Sequence, residues 1–208
     1  MQTLLKVDSS PLYGRSVSSQ LTAAFLDKWK SAHLDGIVID RDLNATQISP
    51  ITAEWVGAVY TPDESRTPQQ KKLLKPSDSF IAELYQADEY LFGVPMHNFS
   101  VPSVLKLWID QITRVGKTFS YADGTGKGLL VGKKATFIIA TGGIYDQQTQ
   151  LASFNFVEPY LRSLFAFLGV TDATFLTAGG TMALKHGQDR DAFLAPHLQA
   201  VHAHALTS

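Results

Sequence analysis

Five short apolar runs alternate along the chain with stretches of helical spacing. This alternation restricts the possible folds more than any other feature of the sequence. The runs cover residues 3–7, 37–39, 90–94, 135–140 and 174–176. The clearest of them are continuously apolar, as strands are when helices cover both sheet faces. Between them, Val17, Leu21, Ala24 and Phe25 repeat at helical spacing, with Ser16 or Ser18 placed to cap. A polar loop over 61–68 precedes a helical segment that runs to about Ala87, and Pro76 is expected to break it. Val101, Val104, Leu105, Trp108, Ile109 and Ile112 share one helical face, with Pro102 in the first turn. Residues 156–168 and 189–206 complete the helices, with Pro196 at a kink or a fresh start.

Parallel strands need crossovers, and the intervening helices supply them. The expected class is α/β: a doubly wound, five-stranded parallel sheet with helices on both faces and ligands at the strands' carboxyl ends. No internal repeat or low-complexity tract is visible, so residues 1–208 are read as a single domain. The glycine-rich stretch 116–133 reads as a long excursion, a hairpin being one form it can take.

Composition narrows the function. Apolar residues make up 45% and charged residues 18%, enough to bury a core. Eighteen Lys and Arg against nineteen Asp and Glu give a formal charge of −1. That balance speaks against nucleic-acid binding through phosphate contacts. It also disfavours an electron carrier that docks through an acidic face. There is no cysteine, which removes disulfides, thiolate metal sites and cysteine nucleophiles and suits the cytosol. Lys6 and Asp8 interrupt the apolar start, so no signal-peptide core is seen, and no apolar run nears the ~20 residues that span a bilayer. A cytoplasmic protein without membrane or nucleic-acid partners is expected.

Three loops that follow strands have unusual composition. Residues 9–18 offer hydroxyls, Gly14, Arg15 and a helix start, which together suit either a phosphate or an ordinary serine-rich cap. They do not form G-x-G-x-x-G, so a dinucleotide-binding turn is disfavoured. Residues 95–102 combine a tight turn with the Asn98 amide and apolar side chains, fit for the edge and face of a flat heterocycle. At Gly142-Gly143 the backbone can approach a ligand closely. Each loop alone is equally compatible with plain turn chemistry. The stretch Gly124-Thr125-Gly126-Lys127-Gly128 lacks P-loop spacing and reads as a turn.

Taken together, several motifs resemble the bacterial FMN-dependent NADH-azoreductases, flavodoxin-like enzymes that also reduce quinones. They are Ser9-Ser10 with Gly14 and Ser16-x-Ser18, P-M-x-N-F-x-x-P-x-x-L-K-x-W-I-D from Pro95 to Asp110, Arg114-Val115-Gly116-Lys117-Thr118-Phe119, and Thr141-Gly142-Gly143. The resemblance extends at least to Gly169.

It implies that Ser10, Ser16, Val17 and Ser18 hold the FMN phosphate. Met96, His97, Asn98 and Phe99 then line one side of the isoalloxazine and bond its polar edge, while Ala140, Thr141, Gly142 and Gly143 meet its other side. The implied partners are FMN, NADH or NADPH, and quinone or azo substrates, in a ping-pong hydride mechanism. Phe99, Phe119, Tyr121 and Leu164 would contact substrate, in a homodimer with active sites at the interface. No side chain is required as an obligatory acid or base; Asn98 and Tyr145 would tune the flavin. His97 and Tyr145 depart from the residues usual in the family. A flavodoxin-like electron carrier, a nitroreductase-type flavoprotein and a non-catalytic module are the other readings.

The segment 156–168 is apolar nearly all round, which needs burial on more than one side: a subunit interface or a central core position. Asp110 and Arg114, spaced i to i+4, are expected to form a helix ion pair. His197, His202 and His204 read as a solvated helix end.

Overall fold

A computed structural model of the chain describes residues 1–121 and 124–206. Among them are seven strands: β1 (Thr3–Asp8), β2 (Ile37–Asp42), β3 (Glu89–Pro95), β4 (Phe119–Ser120), β5 (Lys127–Gly128), β6 (Lys134–Ala140) and β7 (Asp172–Ala178). The six α-helices are α1 (Val17–Ala32), α2 (Ala53–Tyr60), α3 (Pro68–Gln86), α4 (Ser103–Ile112), α5 (Val157–Leu168) and α6 (Arg190–Ala205). Five strands form one parallel sheet in the order β2-β1-β3-β6-β7. The order reverses at β1, and the switch point opens between the carboxyl ends of β1 and β3. The doubly wound, five-stranded α/β sheet expected from the alternation is the one observed, in keeping with the flavodoxin-like fold that the resemblance implies.

Helices cover both faces. Phe80, Leu84, Leu105, Trp108, Leu161 and Phe165, from α3, α4 and α5, are buried in the larger core. Leu21, Phe25, Trp29, Phe193 and Val201, from α1 and α6, are buried on the opposite side. The larger core is organised around Phe92, Phe137 and Phe175. They occupy matched registers on β3, β6 and β7, and their rings stack with centroids 4.8 and 4.7 Å apart.

Several elements depart from expectation. Pro76 does not break the helix: α3 runs unbroken through it. Pro76 and Lys72 are both exposed, so the carbonyl four residues back can face water. Leu74, Ser77, Phe80, Ile81 and Leu84 meanwhile bury a continuous stripe that holds both halves of the helix in place. Likewise α6 passes through Pro196 without restarting. Helix α2, absent from the sequence reading, is capped by Thr52 and packs Trp55 and Ala58 against Leu74 of α3. Of the two cap candidates for α1, Ser16 is the one used, accepting from the Ser19 N–H.

The expected Asp110–Arg114 pair does not form. Lys106, one turn earlier, holds Asp110. Arg114 turns inward instead, 2% exposed, to donate to Ser77 Oγ at 2.9 Å and Asp78 Oδ1 at 2.6 Å. The excursion is a hairpin, β4 against β5. Its Gly128 lies against the end of α5, where a Cβ would come within 2.1 Å of the Gly169 nitrogen.

Candidate functional site

A cavity of about 350 Å³ opens at the carboxyl ends of β1, β3 and β6. The loop after β1 forms one end. Ser10, Ser16 and Ser18 are buried there, with Ser16 Oγ 3.0 Å from Ser18 Oγ and Ser10 Oγ accepting from the Leu12 N–H. Helix α1 starts at Val17, so its first N–H groups face the same space without intrahelical partners. Beneath the loop, Ser9 anchors to the Gly93 carbonyl through both its N–H and its hydroxyl. A side chain at Gly93 would strike Asp8 Oδ1 at 2.3 Å, so glycine lets β3 pass beside β1 here. Burial pushes the Asp8 carboxyl up, and Lys6 and Thr22 pull against that.

The loop after β3 forms the middle wall. Met96 N–H donates to the Ala140 carbonyl at 2.8 Å. Reciprocal backbone bonds of 2.9 and 3.0 Å then close His97 onto Ser100. Asn98 and Phe99 occupy the corners at φ 48° and 69°. This backbone form favours glycine at the second corner, and an aromatic residue held there carries strain of the kind that concentrates at functional sites. The N–H groups of Asn98 and Phe99 have no partner among the described residues.

The loop after β6 forms the far wall. Thr141 is buried and donates its hydroxyl to the Gly143 carbonyl, so it fixes the loop while Ala140 and Gly142 line the cavity. A Cβ on Gly142 would meet Met182 at 3.3 Å, and one on Gly143 would meet the Tyr145 ring at 3.2 Å.

Ser10, Ser16, Val17, Met96, His97, Ala140 and Gly142 thus line one cavity. Asn98 faces a second groove of about 480 Å³, shared with His97, Lys106 and Tyr160 between α4 and α5. Burial and the charge of Asp110 push the Tyr160 hydroxyl pKa up. Phe99 belongs to an exposed aromatic rim, its ring 6.2 Å from Tyr145 and 5.2 Å from Phe154.

The substrate-contact set does not assemble within one chain. Phe119 and Tyr121 sit on the hairpin, where Phe119 packs against Phe167 at the last turn of α5. Phe99 meets the other end of that helix, where its carbonyl accepts the Phe156 N–H. Twelve residues separate the ends of α5, roughly 18 Å. Leu164 lies half-buried on the same helix. The excess of apolar residues on α5 is not all internal: Val157, Leu161, Phe165 and Leu168 are buried, whereas Phe156 and Phe167 are 56% and 37% exposed.

The sequence reading missed the segment after β7. Thr181, Met182, Leu184, Lys185 and Arg190 also line the 350 Å³ cavity. The loop is tied to the far wall by N–H bonds from Gly180 to Gly143, Thr181 to Thr141 and Met182 to Gly142. A signal was present: Ala178-Gly179-Gly180-Thr181 repeats, one strand over, the small-residue turn of Ala140-Thr141-Gly142-Gly143. The polar loop 61–68 makes no part of this cavity; it joins α2 to α3, with Arg66 donating to the Ala58 and Val59 carbonyls. Among the described residues no cluster of His, Asp or Glu could hold a metal ion.

Comparison with known proteins gives the family and the overall fold. Residues 2–205 match the family described as Flavodoxin-like fold. An FMN-dependent NADH:quinone oxidoreductase of Acidobacterium capsulatum is 54% identical over 202 residues, 97% of this chain and 98% of that one. A second such enzyme, from Burkholderia lata, is 45% identical over 98% of this chain and 99% of its own. Among solved structures, an azoreductase from Bacillus anthracis str. Sterne superposes with a TM-score of 0.90 at 25% identity, covering 100% of both chains. An FMN-dependent NADH-azoreductase from the Ames Ancestor strain, solved in complex with FMN, gives 0.88 at 25% identity over 99% of this chain and 98% of that one. The chain belongs to the flavodoxin-like family of FMN-dependent NADH:quinone oxidoreductases.

Proposed function

We propose that the chain is a single FMN-binding domain that uses NADH or NADPH to reduce quinones and azo compounds. One observation carries the reading: the cavity at the switch point joins an anion-binding end to a flat slot. The anion-binding end is made by Ser10, Ser16 and the start of α1, and the slot by Met96, Ala140 and Gly142. The two ends match a phosphate and a planar ring system respectively. FMN, when bound, supplies the hydride chemistry, and in a ping-pong cycle the nicotinamide and the acceptor use one position in turn.

The chain's own residues bind and position. Ser10, Ser16, Val17 and Ser18 hold the phosphate end. Met96, His97 and Gly142 flank the ring, and Asn98 and Phe99 present their free N–H groups from the strained turn, where they stabilise negative charge at a polar edge. Tyr145, packed over Gly143, shapes the opposite edge.

The active enzyme is a homodimer in this reading. Phe119 and Tyr121 reach substrate only when a second copy brings its hairpin to the Phe99 rim, because within one chain they stand at the other end of α5, and Leu164, in the C-terminal half of that helix, comes with them. The exposed Phe156, Phe167 and Tyr121 are the apolar area such a contact would cover. A cytoplasmic location fits the use of reduced nicotinamide, and no helix among the described residues is long and apolar enough to cross a membrane.

The test is steady-state NADH oxidation by purified protein with menadione, methyl red and a nitroaromatic, with and without added FMN. Flavin-dependent turnover of the quinone and the azo dye supports the reading. Turnover of the nitroaromatic alone points to a nitroreductase, and no turnover with any small acceptor points to a carrier.

A further inference from the structure

The walls of the 350 Å³ cavity are electrically one-sided. Arg15, Lys185 and Arg190 line it, and no Asp or Glu does. The chain as a whole carries a formal charge of −1, so three cations without a carboxylate are a local concentration. Lys185 and Arg190 come from the segment after β7, Arg15 from the loop after β1, and the two segments are bolted together. Arg190 Nη2 donates to the Arg15 carbonyl at 2.8 Å, and its Nε and Nη2 donate to Gln20 Oε1 at 3.1 and 2.8 Å. Gln20 in turn donates to the Gly14 carbonyl. The Lys185 side chain is exposed and makes no hydrogen bond or ion pair among the described residues.

The segment that carries Lys185 is built as a strap. A six-residue 3-10 helix, Thr181–His186, is bounded by Gly180 at φ 81° and Gly187 at φ 92°. Runs of this helix type longer than three or four residues are uncommon. One end is fixed to the loop after β6, the other leads into α6 beside Arg15. The strap therefore crosses the cavity from the ring-binding wall to the phosphate end.

Charge balance shows what the strap adds. A phosphate monoester carries roughly −1.5 to −2 near neutral pH, and a helix N-terminus offers only about +0.5. The serine hydroxyls donate hydrogen bonds but no charge, and Ser16 Oγ is already engaged by Ser18 and the Ser19 N–H. The cradle that the loop after β1 provides alone is thus under-compensated.

We propose that Lys185, with Arg190 and Arg15, forms a cationic clamp on the phosphate monoester of the cofactor. The clamp makes the site selective for FMN over unphosphorylated riboflavin. This rests on the FMN reading of the cavity given above.

The holoenzyme is equilibrated with defined mixtures of FMN and riboflavin, and the retained flavins are separated and quantified. The unaltered chain should retain FMN in strong preference. Lys185→Gln should lower that preference roughly fivefold, and Lys185→Gln with Arg190→Gln by more, the single change touching no internal contact. The loss should shrink as salt approaches ~1 M, where the Debye length falls to ~3 Å. An unchanged FMN-to-riboflavin ratio in Lys185→Gln overturns the clamp while leaving FMN binding intact. A change confined to the KM for NADH reassigns these cations to the nicotinamide's phosphates and overturns it too. Retention of neither flavin by the unaltered chain overturns the cofactor reading itself.

Discussion

Asn98 and Phe99 stand next to each other in the left-handed backbone region, at φ 48° and 69°, at the corners of a turn closed by His97 and Ser100. An L-residue pays roughly 1–2 kcal/mol for that conformation, and glycine does not. The usual ranking of Ala over Gly should therefore invert at this position. Phe99→Ala loses the ring contacts and keeps the strain; Phe99→Gly loses the same contacts and sheds the strain. We predict that Phe99→Gly is more stable than Phe99→Ala by about 1 kcal/mol in urea denaturation. Equal stability would mean that the turn is not strained.

Gly128 and Gly169 approach so closely that a side chain on Gly128 collides with backbone. Gly128→Ala should displace the hairpin from α5 and cost about 1–3 kcal/mol. It should also raise the KM for the acceptor, because Phe119 and Tyr121 travel with the hairpin. Gly14→Ala, with open space and an ordinary backbone, is the control and should be close to neutral. Comparable losses in the two variants would contradict the docking described.

Arg114 draws its ionic partner from α3 and not from its own helix. Asp78→Asn should leave a buried guanidinium with only Ser77 and cost about 1–2 kcal/mol, a figure discounted because Asp78 is half exposed. Asp110→Asn should stay within about 0.5 kcal/mol, as for an exposed helix pair. Thermal denaturation of both variants checks the order, which an Asp110–Arg114 pair would reverse.

His204 lies 3.0 Å from Thr136 Oγ1, and burial lowers its pKa below the usual 6.5, with Asp172 and Glu89 opposing. Burial lowers His197 as well. Below 6.5 the unfolded chain binds protons that the folded chain resists. Stability from these groups is therefore full above that pH and is lost as pH falls through it. The urea midpoint should fall between about pH 7.5 and about pH 5.5, and His204→Gln should flatten the decline. An equal slope in the variant would assign the decline elsewhere.

The parts of the fold that sequence reveals are those where one physical cause dominates. The core strands are legible because both their faces are buried, which leaves continuous apolar runs such as Phe92-Gly93-Val94. Pro76 misleads because its local cost is met on the solvent side, while the buried stripe through Ser77 and Phe80 holds the helix together. Arg114 misleads because i,i+4 spacing describes an isolated helix, and the buried Ser77 with the half-exposed Asp78 on α3 overrides it. At the site, the serine loop and the paired glycines are legible because each has a backbone reason for its residue types. Lys185 and Arg190 are not, because single cations on a surface segment carry no local signature. Only the crossing of the strap over the cavity gives them a role.

In the proposed function, one cavity passes electrons from a nicotinamide to a small acceptor by way of bound FMN. Anaerobic single-turnover absorbance measures this directly. NADH should bleach the yellow flavin absorbance of the holoenzyme, and a quinone added after the nicotinamide has been removed should restore it. Absorbance that NADH leaves unchanged, or that returns only while the nicotinamide is still present, would contradict it.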